Sequence, residues 1–169
     1  LSQEVGVNTL NTYRDTRFMT LYGGGGCNNI EPHLTVDKDL VFDYVVQHSP
    51  IEKSRMPKSL VILVPNSTDY GGCTYIYDDG SAISICCPSE EQYPSDTRGI
   101  IQHEAGGHGF GKLGDEMVLR NMFVDNGTVQ QIRYYHARNW YKNVATSGKM
   151  SEVPWAHFSA SCTSTAARR

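Results

Sequence analysis

Two histidines and a glutamate are the residues of this sequence whose types and spacing point most directly to chemistry. His103 and Glu104 are adjacent, and His108 follows His103 by five residues. Imidazole nitrogens are frequent zinc ligands, and a neighbouring carboxylate can act as a general base. In the common arrangement HExxH, two histidines four residues apart share one face of an α-helix and bind one zinc ion. The residue types therefore predict a hydrolytic zinc site.

The spacing between the two histidines is one residue longer than in HExxH. Five residues turn an α-helix by about 500°, so the two imidazoles would point about 140° apart. A π-bulge, which closes i→i+5 hydrogen bonds, would return the pair to one face. Alternatively, Gly106 and Gly107 could leave helical geometry altogether. We favour the bulge, because the five glycines between 106 and 114 would weaken an ordinary helix.

Two carboxylates follow the second histidine within a few residues. Catalytic zinc sites combine three protein ligands with an open position, and carboxylate oxygen is a suitable third ligand. Asp115 is the predicted third ligand, and Glu116 is the alternative. Glu104 is predicted to act as general base for the attacking water and then as proton donor to the leaving amine. The predicted metal ligands are thus His103, His108 and Asp115.

The elements before the motif are predicted to form a helix and a sheet. Apolar spacing over 36–48 predicts a helix, and the apolar run 59–64 predicts a strand buried on both faces. Asp78-Asp79-Gly80 predicts a hairpin that joins strands 70–77 and 81–86. Together with the helix that carries the motif, these elements predict an α+β fold with a mixed, twisted sheet.

Two further segments are predicted from local signals. Pro94-Ser95-Asp96-Thr97 is typical of a helix start, directly before the motif. A second helix is predicted from about Val129 to Val144. The glycines at 23–26 are predicted to form a loop and not a phosphate-binding site, because no Gly-Lys-Ser/Thr follows them.

Composition is that of an ordinary globular protein. The chain has 169 residues, 39% of them hydrophobic, and a net charge of −3 from 15 Lys+Arg and 18 Asp+Glu. This near-balance argues against nucleic acid or an anionic membrane surface as a partner. No apolar run approaches the ~18 residues that a membrane span needs. We expect one domain over 1–169 and no membrane span.

The five cysteines allow two interpretations. No CxxC pair is present, which excludes the common zinc ribbons and thioredoxin-like redox sites. Cys73 could form a cross-strand disulfide with Cys86 or Cys87 in an exported protein. Otherwise these residues are buried free thiols.

The segment from His103 to Glu116 resembles the signature of the IgA peptidase family of metallopeptidases, which are metzincin-like zinc endopeptidases. The shared pattern is HE, a Gly-His pair, a glycine three residues later and then Leu-x-Asp-Glu. The strand 60–66 with Tyr70-Gly71-Gly72, and the segment 148–155, also resemble the family. The resemblance covers about residues 15–158.

This resemblance implies a zincin fold and a secreted, periplasmic or surface-exposed bacterial enzyme that cleaves proteins or peptides. It implies His103, His108 and Asp115 as zinc ligands and Glu104 as the catalytic acid and base. It also implies that an edge strand near Gly72 to Tyr77 pairs with an extended substrate.

Two departures from the family pattern follow Asp115-Glu116. Met117 stands where the family has tyrosine, and the family's Met-containing turn has no counterpart. We therefore expect the chain to be truncated or divergent after about residue 158. The alternative function is that of a catalytically silent zincin-like domain that binds protein or glycan and keeps a structural metal.

Overall fold

The structure, a computed structural model, comprises two compact units, Leu1–Phe110 and Gly111–Arg169. Helices and small three-stranded sheets make up an α+β fold, which confirms the coarse fold prediction. The single domain over 1–169 stays a prediction. No helix among the described residues is long and apolar enough to cross a membrane. The structure describes residues 12–13, 21–22, 34–65, 71–115 and 125–158.

A small antiparallel sheet lies near the start of the first unit. Its strands are β1 (Thr12–Tyr13), β2 (Leu21–Tyr22) and β3 (Leu34–Thr35), with β2 in the centre. The predicted loop at 23–26 lies outside the described residues.

The first helix, α1, spans Lys38–His48 and confirms the helix predicted over 36–48. Asp37 caps its first turn, because the side-chain Oδ1 accepts hydrogen bonds from the amides of Asp39 and Leu40. A short 3₁₀ helix, Lys53–Lys58, leads from α1 to the larger sheet.

The larger sheet is mixed, as predicted. It contains β4 (Leu60–Leu63), β5 (Gly72–Ile76) and β6 (Ala82–Cys86), in the order β4-β6-β5. The strands β5 and β6 are antiparallel and confirm the predicted hairpin, whereas β4 and β6 are parallel. Gly80 closes the hairpin with a φ of 89°, a left-handed conformation that favours glycine.

The central strand of this sheet is β6, and it is buried over its full length. Ile83 and Ile85 pack with Val41 of α1 on one face. Ser84 faces the opposite side, where it bonds to Glu104. The prediction that the apolar run 59–64 is buried on both faces is wrong, since β4 is an edge strand and Ile62 is 46% exposed.

The helix that carries the motif starts at the predicted place. Asp96 caps α2 (Thr97–Ile101) by accepting a hydrogen bond from the amide of Gly99 at 2.8 Å. The chain then continues as a π-helix over Gln102–Phe110, here called the π segment. The predicted π-bulge is confirmed, and the wide geometry extends over nine residues.

The second unit contains α3 (Asn126–Ala137), which begins at the capping residue Asp125. This helix confirms the second helix, predicted from about Val129 to Val144, but it starts three residues before Val129 and ends seven residues before Val144. The helix ends at Ala137 because Asn139 and Tyr141 have positive φ values of 61° and 54°, which an α-helix does not allow.

Candidate metal centre

The π segment brings the two histidines of the motif together. The Nε2 atoms of His103 and His108 lie 3.1 Å apart, with ring centroids 4.6 Å apart and ring planes at 86°. One extra residue per turn thus places an i, i+5 pair on one face. The alternative in which Gly106 and Gly107 leave helical geometry is wrong, because both lie inside the π segment.

The distance between these nitrogens fits two ligands of one zinc ion. Nitrogens bound to zinc at about 2.0–2.1 Å in tetrahedral geometry lie about 3.3 Å apart. The observed 3.1 Å is close to that value. It is also a distance at which one neutral imidazole donates a hydrogen bond to the other. His103 is exposed and His108 is half-buried, so an ion from solution can reach the pair.

Glu104 turns from the same segment toward the sheet and is only 8% exposed. Its Oε2 accepts a hydrogen bond from the Thr74 hydroxyl at 2.8 Å. Its backbone oxygen lies 2.9 Å from the Thr74 hydroxyl and 3.1 Å from the Ser84 hydroxyl. The carboxylate therefore has a defined position against β5, held by the Thr74 hydroxyl.

Two glycines permit this close packing of the π segment on the sheet. A Cβ at Gly72 would lie 2.6 Å from Cγ of Glu104. A Cβ at Gly109 would lie 2.6 Å from Cδ1 of Leu60 and 2.7 Å from Oγ of Ser84. Larger side chains at either position would push the π segment and the sheet apart.

A cleft of about 570 Å³ opens beside these residues in the first unit. His103 and Glu104 line it from the π segment, and Gly71 and Gly72 line it at the start of β5. Among the described residues β5 is an edge strand, and no other described strand pairs with its outer side. The cleft thus contains both Glu104, the general-base candidate, and the start of β5, along which an extended peptide could bind.

No disulfide joins Cys73 to Cys86 or Cys87, so the predicted cross-strand disulfide is not formed. Burial raises the pKa of Cys86 to about 12, and the nearby charges of Glu104 and Cys87 act in the same direction. Cys86 is therefore a protonated thiol at neutral pH and a poor metal ligand.

The predicted third ligand, Asp115, lies in the second unit and is exposed. The backbone just before it is held within that unit. Asn143 donates from Nδ2 to the carbonyl of Gly114 at 2.7 Å and accepts the Gly114 amide at 2.9 Å. Tyr141 donates its amide to the carbonyl of Lys112 at 2.7 Å. The alternative ligand, Glu116, lies outside the described residues.

Thr74 and Ser84 are not among the predicted site residues. The signal in the sequence is a polar residue in the middle of an apolar strand, as Ser84 is in Ala-Ile-Ser-Ile-Cys. A buried hydroxyl at such a position needs a partner, and here the partner is Glu104.

Comparison of the chain with family models, curated proteins and solved structures finds no match.

Proposed function

We propose that this chain is a zinc-dependent metalloendopeptidase with a zincin-like, metzincin-related fold. The observation that carries the proposal is the convergence of two imidazole Nε2 atoms at 3.1 Å, with the buried carboxylate of Glu104 at the adjacent residue. The resemblance of the segment 103–116 to the IgA peptidase family supports the same activity and a secreted, periplasmic or surface location.

His103 and His108 would hold the zinc ion, with Asp115 as the third ligand and Glu116 as its alternative. The place of Asp115 in this set is proposed from its residue type and from its position seven residues after His108. When bound, zinc acts as a Lewis acid that polarises a carbonyl and lowers the pKa of water toward ~7.

Glu104 would take a proton from the attacking water and later deliver it to the leaving amine. Its adjacency to His103 and its place in the cleft wall support this role. The burial of Glu104 strengthens the hydrogen bonds that orient its carboxylate. A protein or peptide substrate would lie extended along β5, since main-chain hydrogen bonds to an edge strand hold many different sequences.

The substitution Glu104→Gln tests this function. It keeps the size of the side chain and removes its ability to accept a proton. We expect peptide hydrolysis to fall by at least ~10²-fold, while the purified protein keeps its zinc. Activity is measured on a library of fluorogenic peptides, and zinc by elemental analysis of the purified chain.

His108→Ala is the matched ligand variant, and it should lose zinc as well as activity. A wild-type chain that binds no zinc would contradict the proposal. A chain that binds zinc but cleaves nothing, with the same ligand affinity in wild type and Glu104→Gln, would favour the alternative of a silent zincin-like binding domain.

A further inference from the structure

Two hydroxyl groups from the sheet contact Glu104, the residue that follows His103. Thr74 of β5 and Ser84 of β6 are direct cross-strand partners, and their hydroxyl oxygens lie 2.8 Å apart. Both reach the backbone oxygen of Glu104, at 2.9 Å and 3.1 Å. Only Thr74 also reaches the carboxylate, with Oγ1 2.8 Å from Oε2. Thr74 thus contacts both the carboxylate and the backbone oxygen of Glu104, whereas Ser84 contacts the backbone oxygen.

Each hydroxyl carries a single proton to donate. If Ser84 donates to the backbone oxygen of Glu104, the Thr74 proton is left for Oε2. A hydrogen bond to an ionised carboxylate is roughly twice as strong as one between neutral groups. The proposed general base is an ionised carboxylate, and such an acceptor favours donation from Thr74 to Oε2, while Ser84 satisfies the backbone oxygen.

The surroundings increase the effect of this bond. Ser84 is fully buried and Glu104 is 8% exposed, so water competes little for either group. Thr74 also lies in the middle of a strand, and its β-branched side chain has few rotamers available. A stiff donor on a sheet restrains the carboxylate more than a donor on a loop would.

We propose that Thr74 is a positioning residue for the general base: its hydroxyl holds Oε2 of Glu104 and so fixes the plane of the carboxylate in the cleft. Ser84 supports the backbone of the same residue. This inference rests on the proposed peptidase function, in which Glu104 handles the proton of the attacking water.

The test compares Thr74→Val, which keeps the shape of threonine without the hydroxyl, with Thr74→Ser, which keeps the hydroxyl. Mutation of a residue that orients a metal ligand commonly lowers activity roughly 10–100-fold, and we expect a loss of similar size for a residue that orients the general base. We expect Thr74→Val to lower kcat by roughly 10–100-fold with KM and zinc content unchanged. Thr74→Ser should restore kcat to within about 3-fold of wild type, because it restores the donor.

Ser81→Ala is the matched control within the same hairpin. Ser81 is fully buried like Ser84, but its hydroxyl bonds to Asp79 and not to Glu104. This variant should lower the melting temperature and leave kcat unchanged. A fall in kcat equal to that of Thr74→Val would show that loss of any buried hydroxyl in the hairpin is enough, and would overturn the proposal.

A second measurement separates this inference from the peptidase function. Crystal structures of the metal-free protein should show the Glu104 carboxylate in one place in wild type and Thr74→Ser, and rotated in Thr74→Val. An unmoved carboxylate in Thr74→Val, or an active enzyme whose kcat does not change, would overturn the positioning role. If the wild type bound no zinc and hydrolysed no peptide, the proposed function would be overturned instead. The crystal structures alone would then decide whether Thr74 positions the Glu104 carboxylate.

Discussion

At Gly72 the backbone of β5 packs closely against the side chain of Glu104. A methyl group there would lie 2.6 Å from Cγ of Glu104 and 3.0 Å from the backbone oxygen of Ile85. The backbone of the central strand cannot move away cheaply, so the glutamate must shift. We expect Gly72→Ala to lower kcat by roughly 10²-fold, because small displacements of catalytic groups have effects of that size.

The adjacent glycine provides the control for this prediction. A Cβ at Gly71 meets only Cδ1 of Ile100, at an ordinary contact distance of 4.0 Å. Gly71→Ala should therefore keep most of the activity and all of the zinc. Steady-state kinetics with elemental analysis gives both quantities, and equal activity of the two variants would contradict the steric argument.

The chemistry of single residues is predictable from the sequence where type and spacing are informative. His103, Glu104 and His108 are recognisable because few residue types bind zinc and move protons. Thr74 is not recognisable in this way, since threonine is common in strands for reasons of propensity alone. Its partner lies 30 residues away, and only the fold brings the two together.

The π segment packs on the sheet through Gly109. A methyl group at Gly109 would lie 2.6 Å from Leu60 Cδ1 and 2.7 Å from Ser84 Oγ. Overpacking of this kind usually costs about 1–3 kcal/mol. We expect Gly109→Ala to lower the free energy of unfolding by that amount in urea titrations.

Gly106 of the same segment is the matched control. A Cβ there has nothing within 4 Å. Gly106→Ala should be neutral or should stabilise the chain by up to about 1 kcal/mol, because alanine restricts the unfolded state more than glycine does. If Gly106→Ala and Gly109→Ala unfolded at the same urea concentration, tight packing at Gly109 would not explain a loss of stability.

Elements are predictable to the extent that their signals are local. The hairpin follows from Asp78-Asp79-Gly80, and the start of α2 follows from the cap at Asp96. The order of the strands depends on pairing between distant segments, so the apolar run of β4 gives no sign that it lies at an edge. The end of α3 at Ala137 depends on left-handed residues that are not glycine, which sequence patterns rarely reveal.

The stability of the whole molecule should depend on zinc if the proposed site is real. A ligand that binds only the folded state stabilises it by about 2.7 kcal/mol at a free concentration 100 times the Kd. We therefore expect removal of zinc by a chelator to lower the melting temperature by several degrees, and added zinc to restore it. Differential scanning calorimetry at fixed protein concentration measures the shift.

His103→Ala serves as the control, because its melting temperature should no longer respond to zinc. The comparison of Asp115→Ala with Glu116→Ala then identifies the third ligand as the variant whose response to zinc is weaker. A zinc response that is unchanged in His103→Ala would place the ion elsewhere and contradict the proposed site.

The organisation of the whole molecule is the least predictable from the sequence. Length and composition favour one domain over 1–169, which stays a prediction, and the two compact units are divided after Phe110, within the stretch that carries the motif. The composition does not change at this point, because glycines occur both in the π segment before it and in the turn after it. The prediction of Asp115 as third ligand thus depends on its spacing from His108 along the chain. The pairing of His103 with His108 follows from helix geometry.

The π segment also has a consequence for how such a site could arise. Between Glu104 and His108 it contains one residue more than an α-helical path to the same metal would need. In genetic terms, the loss of one codon in Gly106-Gly107 would produce HExxH, and the gain of one codon would reverse it. A helix that absorbs an inserted residue as a wider turn can keep both ligands through the change. The two spacings are therefore neighbours in sequence space, and a pattern search restricted to HExxH would separate chains that differ by a single insertion.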